Sequence, residues 1–409
     1  MKKSRTILHS DLNSFYASVE IMLNPSLRGK DVAVCGSSEE RHGIVLSKSD
    51  SAKEAGVKTG MVNWEARRKC PDLIIVHPKF EQYKKYSKLT RAIYQRFSDR
   101  VEPFGLDECW IDITGYGDGA VTAEKIRSAV KEELGLTVSI GVSFNKVFAK
   151  LGSDMKKPDA ITYIGFDDFR EKVWHLPAGD MIYVGRSTVK KLERYNIRTI
   201  GDIANTSHEF LRKLLGVNGE MIWAHAKGMD NSRVMHMDYM RPVKSIGRGI
   251  TCTSDLQTEE EAWRVMLHLS QDVGHKLREN GLWAGSVQLT VKNNELMYMQ
   301  SQANVDVPVQ RPMDIACKAR ELFRGYDWKL PVRAITVRAA KLLPDSVPRQ
   351  AFLFEDPKKR EQLQCLENAI EDIRGRFGKN AIYPACLMGE IKTPTGRFTE
   401  DTFPGSMYV

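Results

Sequence analysis

The chain has 409 residues, which is enough for three or four domains, each with its own core. Its 61 Lys and Arg against 52 Asp and Glu give a formal net charge of +9, a surplus that suits nucleic acid as a partner and that ordinary basic proteins also show. Seven cysteines without a Cys-x-x-Cys pair argue against a disulfide framework or a zinc ribbon and favour a reducing cytoplasm, and no signal peptide or membrane span is expected.

Strand and helix patterns alternate along the first part of the chain. Residues 6–12 form a strand pattern, and a helix is predicted from Ser14 because Phe15, Val19 and Met22 recur at helical spacing. The further predictions for this part are strands at 31–35 and 43–47, a helix at 80–97, a strand at 109–113, a helix at 121–134, a strand at 137–142 and a helix at 145–155.

The rest of the chain changes character twice. Residues 177–231 are predicted as short helices punctuated by glycine, and residues 232–243 lack apolar periodicity and are interpreted as a linker. Beyond Pro344 a polar segment precedes an amphipathic helix at 360–377, which we interpret as a docking helix. Between the linker and Pro344 lies an independent α/β unit, with predicted helices at 258–280 and 311–325 and alternating strands around 287–291 and 335–339.

Three acidic residues, Asp11, Asp107 and Glu108, lie in two strand-like segments that are far apart in the sequence. Adjacent acids in a regular strand face opposite sides, but Gly105 permits a bend that would turn both toward one site. If the two strands are neighbours, the carboxylates and the backbone carbonyl of Leu12 could hold a pair of divalent cations, an arrangement that serves in-line displacement at phosphorus. The alternative is a solvated turn, and these residues alone leave both possibilities open.

The residues after Asp11 and those around Lys157 suit phosphate groups. The first turn of the predicted helix, at 13–16, offers free backbone N–H groups. Tyr16 has a polar tip that could lie beneath a nucleotide sugar, whereas the ring of Phe15 is expected in the core. Lys157 lies just before a proline, where its ammonium could bind phosphate as a point charge, although a solvated lysine-rich helix face is the alternative.

Two further segments indicate larger partners. The segment 183–192 resembles a helix–hairpin–helix, in which the turn at Gly185 would expose N–H groups to a DNA phosphate beside Lys190 and Lys191. An ordinary connection between helices is the alternative. The peptide 350–354 places a Leu-Phe pair in a polar, proline-flanked segment, where exposed apolar side chains are unusual unless a partner or the chain's own domain covers them.

Taken together, these motifs resemble the Y-family, the translesion DNA polymerases, over about residues 5–345. The matching segments are 11–20 and 106–112 in the palm, 145–150 with 157–158, the thumb hairpin 184–192 and the start of the little finger at 244–248. The resemblance implies an α/β (α+β) multidomain fold with a ferredoxin-like palm (1–27 and 79–165), small fingers (28–78), a helical helix–hairpin–helix thumb (166–231), a linker (232–243), a separate βαββαβ little finger (244–345) and a C-terminal tail (346–409).

The resemblance also implies roles for the matching residues. The implied catalytic residues are Asp11, Asp107 and Glu108, which with Leu12 would hold two Mg²⁺ ions. The implied nucleotide-binding residues are Ser14, Phe15, Tyr16, Ser47, Lys53 and Lys157, with Tyr16 as the steric gate against a ribose 2′-hydroxyl. The implied DNA-binding residues are Lys146, Gly185, Lys190, Lys191 and Arg248. Similarity to the peptide by which bacterial polymerases bind the sliding clamp assigns clamp binding to Gln350, Leu353 and Phe354.

The fingers depart from the family pattern at two positions. Where the family usually has a Tyr and an Arg that grip the triphosphate, this chain has Asp50 and Lys53. An acid near a triphosphate repels it unless it is paired, and Lys lacks the two-pronged contact of Arg. We therefore expect weaker nucleotide binding than in a typical relative, or a locally altered fingers conformation.

The implied function is that of a template-directed, error-prone DNA polymerase without proofreading, a cytoplasmic monomer that does not contact the membrane. Its partners would be primer–template DNA, deoxynucleoside triphosphates and the bacterial sliding clamp, and the nearest kinds are the SOS-type polymerases IV and V, which the sequence does not rank. One alternative is a non-catalytic relative that bridges DNA and the clamp, although such a protein should have lost its carboxylates. Another is a nucleotidyl cyclase, which would need no duplex-binding thumb.

Overall fold

The computed structural model describes residues 5–38, 41, 43–326, 328–347, 357–389 and 391–394. The chain forms two compact units. The first contains residues 5–36 and Ile44–Met240, and the second contains Ser37–Gly43 and the described residues after Met240. None of the described helices combines the length and the apolar composition needed to cross a membrane.

The first unit alternates strands and helices and then becomes helical. Each strand and helix predicted for residues 6–155 is present, with ends that differ by a few residues, whereas five short elements, at 50–54, 63–69, 74–76, 101–104 and 161–164, are not predicted from the sequence patterns. In chain order the elements are β1 (Ile7–Leu12), α1 (Phe15–Leu23), β2 (Val32–Cys35), β3 (Val45–Lys48), α2 (Asp50–Glu54), α3 (Asn63–Lys69), β4 (Ile74–Val76), α4 (Phe80–Tyr94), β5 (Val101–Phe104), β6 (Glu108–Asp112), α5 (Gly119–Leu134), β7 (Val138–Ser143), α6 (Lys146–Met155), β8 (Ile161–Ile164), α7 (Phe169–Val173), α8 (Arg186–Glu193), α9 (Ile200–Asn205), α10 (His208–Leu215) and α11 (Val217–Ala226).

The palm sheet has the strand order β5-β6-β1-β7-β8, and β1 is antiparallel to both of its neighbours. Strands β1, β5, β6 and β7 with helices α4 and α5 have the ferredoxin-like order, so the predicted palm fold is confirmed. Helices α4 and α5 contribute to the apolar core on one side of the sheet, and α6 packs on β1 and β7. Because β1 is central, every residue of it is buried, including its polar ones.

The fingers form a small sheet with a core of its own. Strand β2 lies between β3 and β4, antiparallel to the first and parallel to the second. Ala52 of α2 and Ala66 of α3 are fully buried against this sheet, together with Ala33, Cys35 and Val45. Small side chains at these positions let the two short helices approach the strands closely.

The thumb helices α7–α11 share a core with the palm helix α6. Val147, Phe148 and Leu151 of α6 are buried in the same apolar cluster as the thumb side chains. Phe148 stacks on Phe169 of α7, with ring centroids 5.2 Å apart. Helix α6 therefore packs on the sheet with one face and on the thumb with another, although the sequence predicts a domain boundary at residue 165.

The second unit confirms the predicted βαββαβ order. Its sheet has the order β11-β10-β12-β9 and is antiparallel throughout, and α12 and α13 contribute to its core. Its elements are β9 (Ser245–Leu256), α12 (Glu259–Glu279), β10 (Leu282–Asn293), β11 (Tyr298–Val309), α13 (Pro312–Arg324), β12 (Val332–Pro344) and α14 (Pro357–Phe377).

The last helix, α14, docks on the second unit as the sequence predicts. Glu371 of α14 forms ion pairs with His275 and Arg278 of α12, and Arg374 donates to Gln271 Oε1 over 3.0 Å. The helix is therefore held by charged contacts with α12 at several positions. The predicted clamp-binding residues, Gln350, Leu353 and Phe354, lie outside the described residues.

Candidate active site

The two acid-bearing segments are neighbouring strands. Strand β1 pairs with β6 in an antiparallel register that sets Asp11 opposite Glu108. The Leu12 N–H donates to the Asp107 carbonyl oxygen over 3.0 Å. Gly105, with φ 84°, lies in the bend between β5 and β6. The bend expected at Gly105 is thus present, and it brings Asp107 to the end of β1 where Asp11 lies.

A lysine of α6 lies among these carboxylates. Lys150 Nζ is 3.0 Å from Glu108 Oε1, 3.6 Å from Asp11 Oδ2 and 2.8 Å from Asp154 Oδ2. The Lys150 side chain is only 15% exposed. Within the described part of the chain, no three His, Cys, Asp or Glu side chains converge as a metal-binding group. The carboxylates are therefore neighbours whose charge is balanced here by an internal cation.

Burial affects the three acids differently. Desolvation raises the pKa of Asp11 to about 6. Desolvation and the charges of Glu108 and Asp11 raise the pKa of Asp107 to about 7. Burial acts on Glu108 in the same direction, but the approach of His9 and the charge of Lys150 prevail and lower the pKa of Glu108 to about 2. Asp11 and Asp107 therefore resist ionisation beside an acid that is already charged, so added positive charge at this site would be stabilising.

His9 is fully buried beside Glu108. Its Nδ1 lies 2.8 Å from Ser153 Oγ, and the Ser153 hydroxyl donates to the Lys150 carbonyl oxygen over 2.7 Å. His9 Nε2 is 3.4 Å from Glu108 Oε2, which is long for a hydrogen bond, and neither atom has another hydrogen-bond partner among the described residues. Trp110 packs edge-on against the imidazole. The Glu108 carboxylate is therefore confined between His9 and Lys150.

Lys157 belongs to the same group of charges. Its Nζ is 2.8 Å from Asp11 Oδ2 and 2.9 Å from Asp154 Oδ1. Burial acts to lower the pKa of Lys157, but Asp11 and Asp154 outweigh it and raise the pKa. The side chain is 27% exposed, so a charged ammonium lies at the edge of the site, as a phosphate contact requires.

Tyr16 belongs to an aromatic cluster between α1 and α4. Its ring is stacked on Tyr83, with centroids 4.3 Å apart and an angle of 10° between the planes, and Phe80 packs edge-on against it. The Tyr83 hydroxyl donates to Glu20 Oε1 and Lys79 Nζ donates to Glu20 Oε2, each over 2.8 Å. Glu20 is 1% exposed, so a buried carboxylate holds the ring on which Tyr16 lies.

The fingers contact the start of α1 through hydroxyl groups. Ser14 precedes α1 in a left-handed conformation, with φ 48°, and its hydroxyl donates to Asp50 Oδ1 over 3.0 Å. Ser47 Oγ accepts from the Ala17 N–H over 3.3 Å, which uses one of the N–H groups of the first turn. Lys53 is exposed near the end of α2. Asp50 is therefore hydrogen-bonded at the first turn of α1, beside the expected phosphate site.

Lys146 lies in a setting that does not favour the predicted DNA contact. Its Nζ is 2.8 Å from Glu102 Oε2, with side chains 12% and 5% exposed, and 4.3 Å from the centre of the Trp110 ring. Glu102 Oε2 also accepts from the Met235 N–H over 3.0 Å. Lys146 thus supports a buried carboxylate that ties the first part of the linker to the palm, and its role in DNA binding stays a prediction.

The other predicted DNA contacts are divided between the two units. Gly185 is the N-cap of α8, and Lys190 and Lys191 are exposed in the last turn of that helix. A helix–hairpin–helix that binds DNA phosphates would need these groups to be accessible in this way. Arg248 lies in β9 of the second unit, with Nε 3.3 Å from Asp272 Oδ2. Phe15, assigned a backbone contact with the nucleotide, has its ring in the palm core as predicted.

Lys150, His9 and Glu20 are parts of the site that the sequence patterns did not indicate. Lys150 and Asp154 are one helical turn apart in a motif that the sequence already marks. That spacing could have suggested a pair on one helix face. No comparable signal exists for Glu20, because a buried acid and a solvated one have the same pattern in a sequence.

Three family models match the chain. The impB/mucB/samB family matches residues 10–154, and the C-terminal domain of that family matches residues 243–353. A model described as the thumb domain of DNA polymerase-iota matches residues 180–230. The matched segments contain the palm with its acids, the thumb hairpin and the βαββαβ unit.

The chain is similar to curated proteins along nearly its whole length. It is 47% identical to DNA polymerase IV of Acetivibrio thermocellus, over 94% of this chain and 98% of that protein. It is 35% identical to DNA polymerase IV 1 of Bacillus subtilis, over 98% of each. A solved Y-family DNA polymerase chimera of Dbh and Dpo4 superposes with a TM-score of 0.74 at 22% identity, covering 83% of this chain and 99% of the chimera, which is a likeness of fold.

Proposed function

Since the chain belongs to the Y-family DNA polymerases of the polymerase IV kind, we propose that it extends a DNA primer at the carboxylates of Asp11, Asp107 and Glu108. The observation that carries this proposal is the β1–β6 pairing, which sets Asp11 opposite Glu108 and brings Asp107 to the same end of the sheet. Primer extension at these carboxylates would take part in translesion synthesis, the process for which this family is named.

Two Mg²⁺ ions are part of this proposal. Three carboxylates lie at one strand end, two of them with pKa values raised toward neutrality, and Lys150 shows that a cation is accommodated between Asp11 and Glu108. Asp11, Asp107, Glu108 and the Leu12 carbonyl would hold the ions. When bound, the ions would lower the pKa of the primer 3′-hydroxyl and stabilise the charge of the leaving pyrophosphate.

The protein's own groups would orient the deoxynucleoside triphosphate. The ammonium of Lys157 and the N–H groups at Ser14 and Phe15 lie at the end of β1, where they would bind phosphate oxygens. Tyr16, held flat against Tyr83, would meet the sugar and leave no room for a 2′-hydroxyl. Lys190, Lys191 and the N–H groups near Gly185 would hold the duplex by its phosphates, and Arg248 would add a contact from the second unit.

Primer extension with Mg²⁺ tests the assignment of the carboxylates. Asp107→Asn should lower kcat by at least about a thousandfold, because it removes a charged ligand at the reacting centre. Asp118→Asn is the matched control: Asp118 caps α5 away from the acids, and Asn caps a helix equally well, so activity should stay. Extension by Asp107→Asn at the wild-type rate would refute the assignment.

Primer extension and a parallel reaction without DNA separate the two alternatives. A non-catalytic bridging protein would show no extension by the wild type with Mg²⁺. A nucleotidyl cyclase would form a cyclic product from nucleoside triphosphates without DNA. The proposal requires extension that depends on both primer and template, with no cyclic product.

The bacterial sliding clamp is proposed as a partner through Gln350, Leu353 and Phe354. The support is the sequence of this peptide and its position directly after the βαββαβ unit. The double variant Leu353→Ala/Phe354→Ala should lose the stimulation of primer extension that the clamp provides. Full stimulation of that variant would rule the peptide out as the contact.

A further inference from the structure

Asn13 lies directly beyond β1 and connects the acid-bearing strand with the turn that carries Lys157. It is 5% exposed, and its side chain makes two hydrogen bonds. Its Nδ2 donates to Ser139 Oγ over 2.9 Å, and its Oδ1 accepts from the Asp159 N–H over 2.9 Å. The Asn13 backbone is fixed as well, because its N–H donates to the Thr137 carbonyl oxygen over 2.9 Å.

The turn at Lys157 is also held from its other side. Asp159 has a left-handed backbone, with φ 52°, a conformation that Asp tolerates better than most residues. Its carboxylate accepts from Arg127 Nη1 over 2.8 Å and from Lys131 Nζ over 2.7 Å, both on α5. The main-chain N–H of Asp159 is the group that Asn13 binds, so the turn is held between α5 and the end of β1.

From these contacts we propose that Asn13 is a positioning residue that holds the Lys157 ammonium at the triphosphate site. Lys157 Nζ is 2.8 Å from Asp11 Oδ2, and Asn13 follows Asp11 by two residues on the same chain segment. The bond from Asn13 to Asp159 therefore fixes the distance between the turn and the metal-binding carboxylate. The inference rests on the proposed role of Lys157 in binding the triphosphate, and it adds the residue that places this lysine.

The chemistry of the side chain explains which substitutions can replace it. Ala at position 13 would leave the Asp159 N–H and the Ser139 hydroxyl without their partner in a buried place, so the turn would shift. Asp would keep an acceptor for the Asp159 N–H, and the Ser139 hydroxyl can rotate to donate to the second oxygen. Asn13→Asp is therefore the conservative variant, and Asn13→Ala is the disruptive one.

Steady-state kinetics of single-nucleotide insertion by the full chain tests the inference. Asn13→Ala should raise the KM for the deoxynucleoside triphosphate about tenfold with little change in kcat, since a displaced ammonium weakens binding of the triphosphate. Asn13→Asp should stay close to the wild type. Ser98→Ala is the matched control, because Ser98 is a buried palm residue with two hydrogen bonds, to the Asp112 carbonyl and from the Arg100 N–H, and its loss should leave the KM unchanged.

A double-mutant cycle separates positioning from a general loss of structure. Lys157→Ala should raise the KM, and adding Asn13→Ala to it should raise the KM no further, because no ammonium remains to be placed. An unchanged KM for Lys157→Ala would contradict the proposed role of Lys157 itself. A raised KM for Lys157→Ala with either an unchanged KM for Asn13→Ala or fully additive effects would overturn the role of Asn13. If Asn13→Ala does not fold, Ser139→Ala removes the partner of Asn13 Nδ2 and loosens the amide that binds the Asp159 N–H, so the KM should still rise, and an unchanged KM there would overturn the inference.

Discussion

The ring of Tyr16 lies flat on the ring of Tyr83, with centroids 4.3 Å apart and planes within 10° of parallel. Tyr83 is in turn fixed by its hydrogen bond to the buried carboxylate of Glu20, which also binds Lys79. Tyr16, the proposed gate residue, is therefore held by a second ring and a buried carboxylate. Its position depends on α4 as much as on its own helix.

This relationship predicts graded effects on sugar selection. Tyr16→Ala should raise the incorporation of ribonucleotides relative to deoxynucleotides by at least about tenfold, because the ring that excludes the 2′-hydroxyl is gone. Tyr83→Ala should raise it less, since the gate remains but can tilt. The measurement is the ratio of kcat/KM for a ribonucleotide to that for the matching deoxynucleotide. Tyr116→Ala is the control, because Tyr116 is an exposed palm residue. If Tyr16→Ala leaves this ratio at the wild-type value, Tyr16 is not the gate.

Binding of Mg²⁺ should weaken as the pH falls from 8 to 6. The pKa values of Asp107, about 7, and Asp11, about 6, lie above their ordinary value, and metal ligation needs the ionised forms. Without metal, these raised values favour the folded state below about pH 4 and lose that contribution as the pH rises through 6 and 7. The Mg²⁺-induced rise in Tm should thus be larger at pH 8 than at pH 6. An equal rise at both pH values would contradict the prediction, and Asp107→Asn should remove most of the difference.

Lys150 should be important for the stability of the metal-free protein. It is the cation shared by Glu108, Asp154 and Asp11. Asp11 and Asp154 would keep Lys157 in Lys150→Ala, but the largely buried Glu108 would lose its cation, at a cost of about 3 kcal/mol in the free energy of unfolding. Mg²⁺ should restore part of the loss, which chemical denaturation with and without Mg²⁺ would measure. Lys84→Ala, which breaks a pair with Glu81 at the surface, is the control and should cost less than about 1 kcal/mol. A loss for Lys150→Ala no larger than that of the control would argue against this role.

Asp50 and Lys53, the two fingers residues that depart from the family pattern, predict that nucleotide binding becomes stronger when the negative charge of Asp50 is removed. Asp50 lies at the first turn of α1, hydrogen-bonded to Ser14, where its carboxylate would repel a triphosphate. Asp50→Asn should therefore lower the KM for deoxynucleoside triphosphates by about threefold, and Lys53→Arg should act in the same direction through its two-pronged contact. Insertion kinetics at fixed Mg²⁺ provide the measurement. A higher KM for Asp50→Asn would mean that the bond to Ser14 matters more than the repulsion.

The exposed lysines of α8 and the buried Lys146 should differ in their effect on the salt dependence of DNA binding. Lys190→Ala and Lys191→Ala should each lower the magnitude of the salt-dependence slope by about 1, because each exposed ammonium would neutralise one phosphate. Lys146→Ala should leave the slope unchanged and instead cost about 3 kcal/mol of stability, since it breaks the buried pair with Glu102. A lower slope for Lys146→Ala would restore its predicted role as a DNA contact.

The sequence predicts the strands of this site better than the charges around it. The position of Asp11 at a strand end and of Asp107 after a bend follows from local patterns, because apolar alternation and Gly105 are visible in the chain. The surroundings of Lys146 and Lys150 are not visible there. Both lie one turn apart on α6, and a lysine run is normally a solvated face. Only the packing of α6 on the sheet and on the thumb turns these ammonium groups inward.

The same limit applies to the aromatic and fingers contacts. Of the neighbouring rings of Phe15 and Tyr16, the one without a hydroxyl is expected in the core, and Phe15 is buried as predicted. The stacking of Tyr16 on Tyr83 joins two helices that are distant in the chain, so no local pattern specifies it. Likewise, the repulsion expected from Asp50 can be read from its charge, whereas its hydrogen bond to Ser14 depends on how the fingers meet α1.

The apolar cluster that α6 shares with the thumb should prevent the palm and the thumb from folding as separate fragments. A fragment ending at residue 165 would expose Val147, Phe148 and Leu151 to water, and an isolated thumb would lose the side chains that complete its interior. The two should therefore melt in a single cooperative transition and resist expression as separate pieces. Cooperative unfolding of this kind would make the helix that bears Lys150 a common support, which would keep the helices proposed to bind the duplex at a constant distance from the reacting groups.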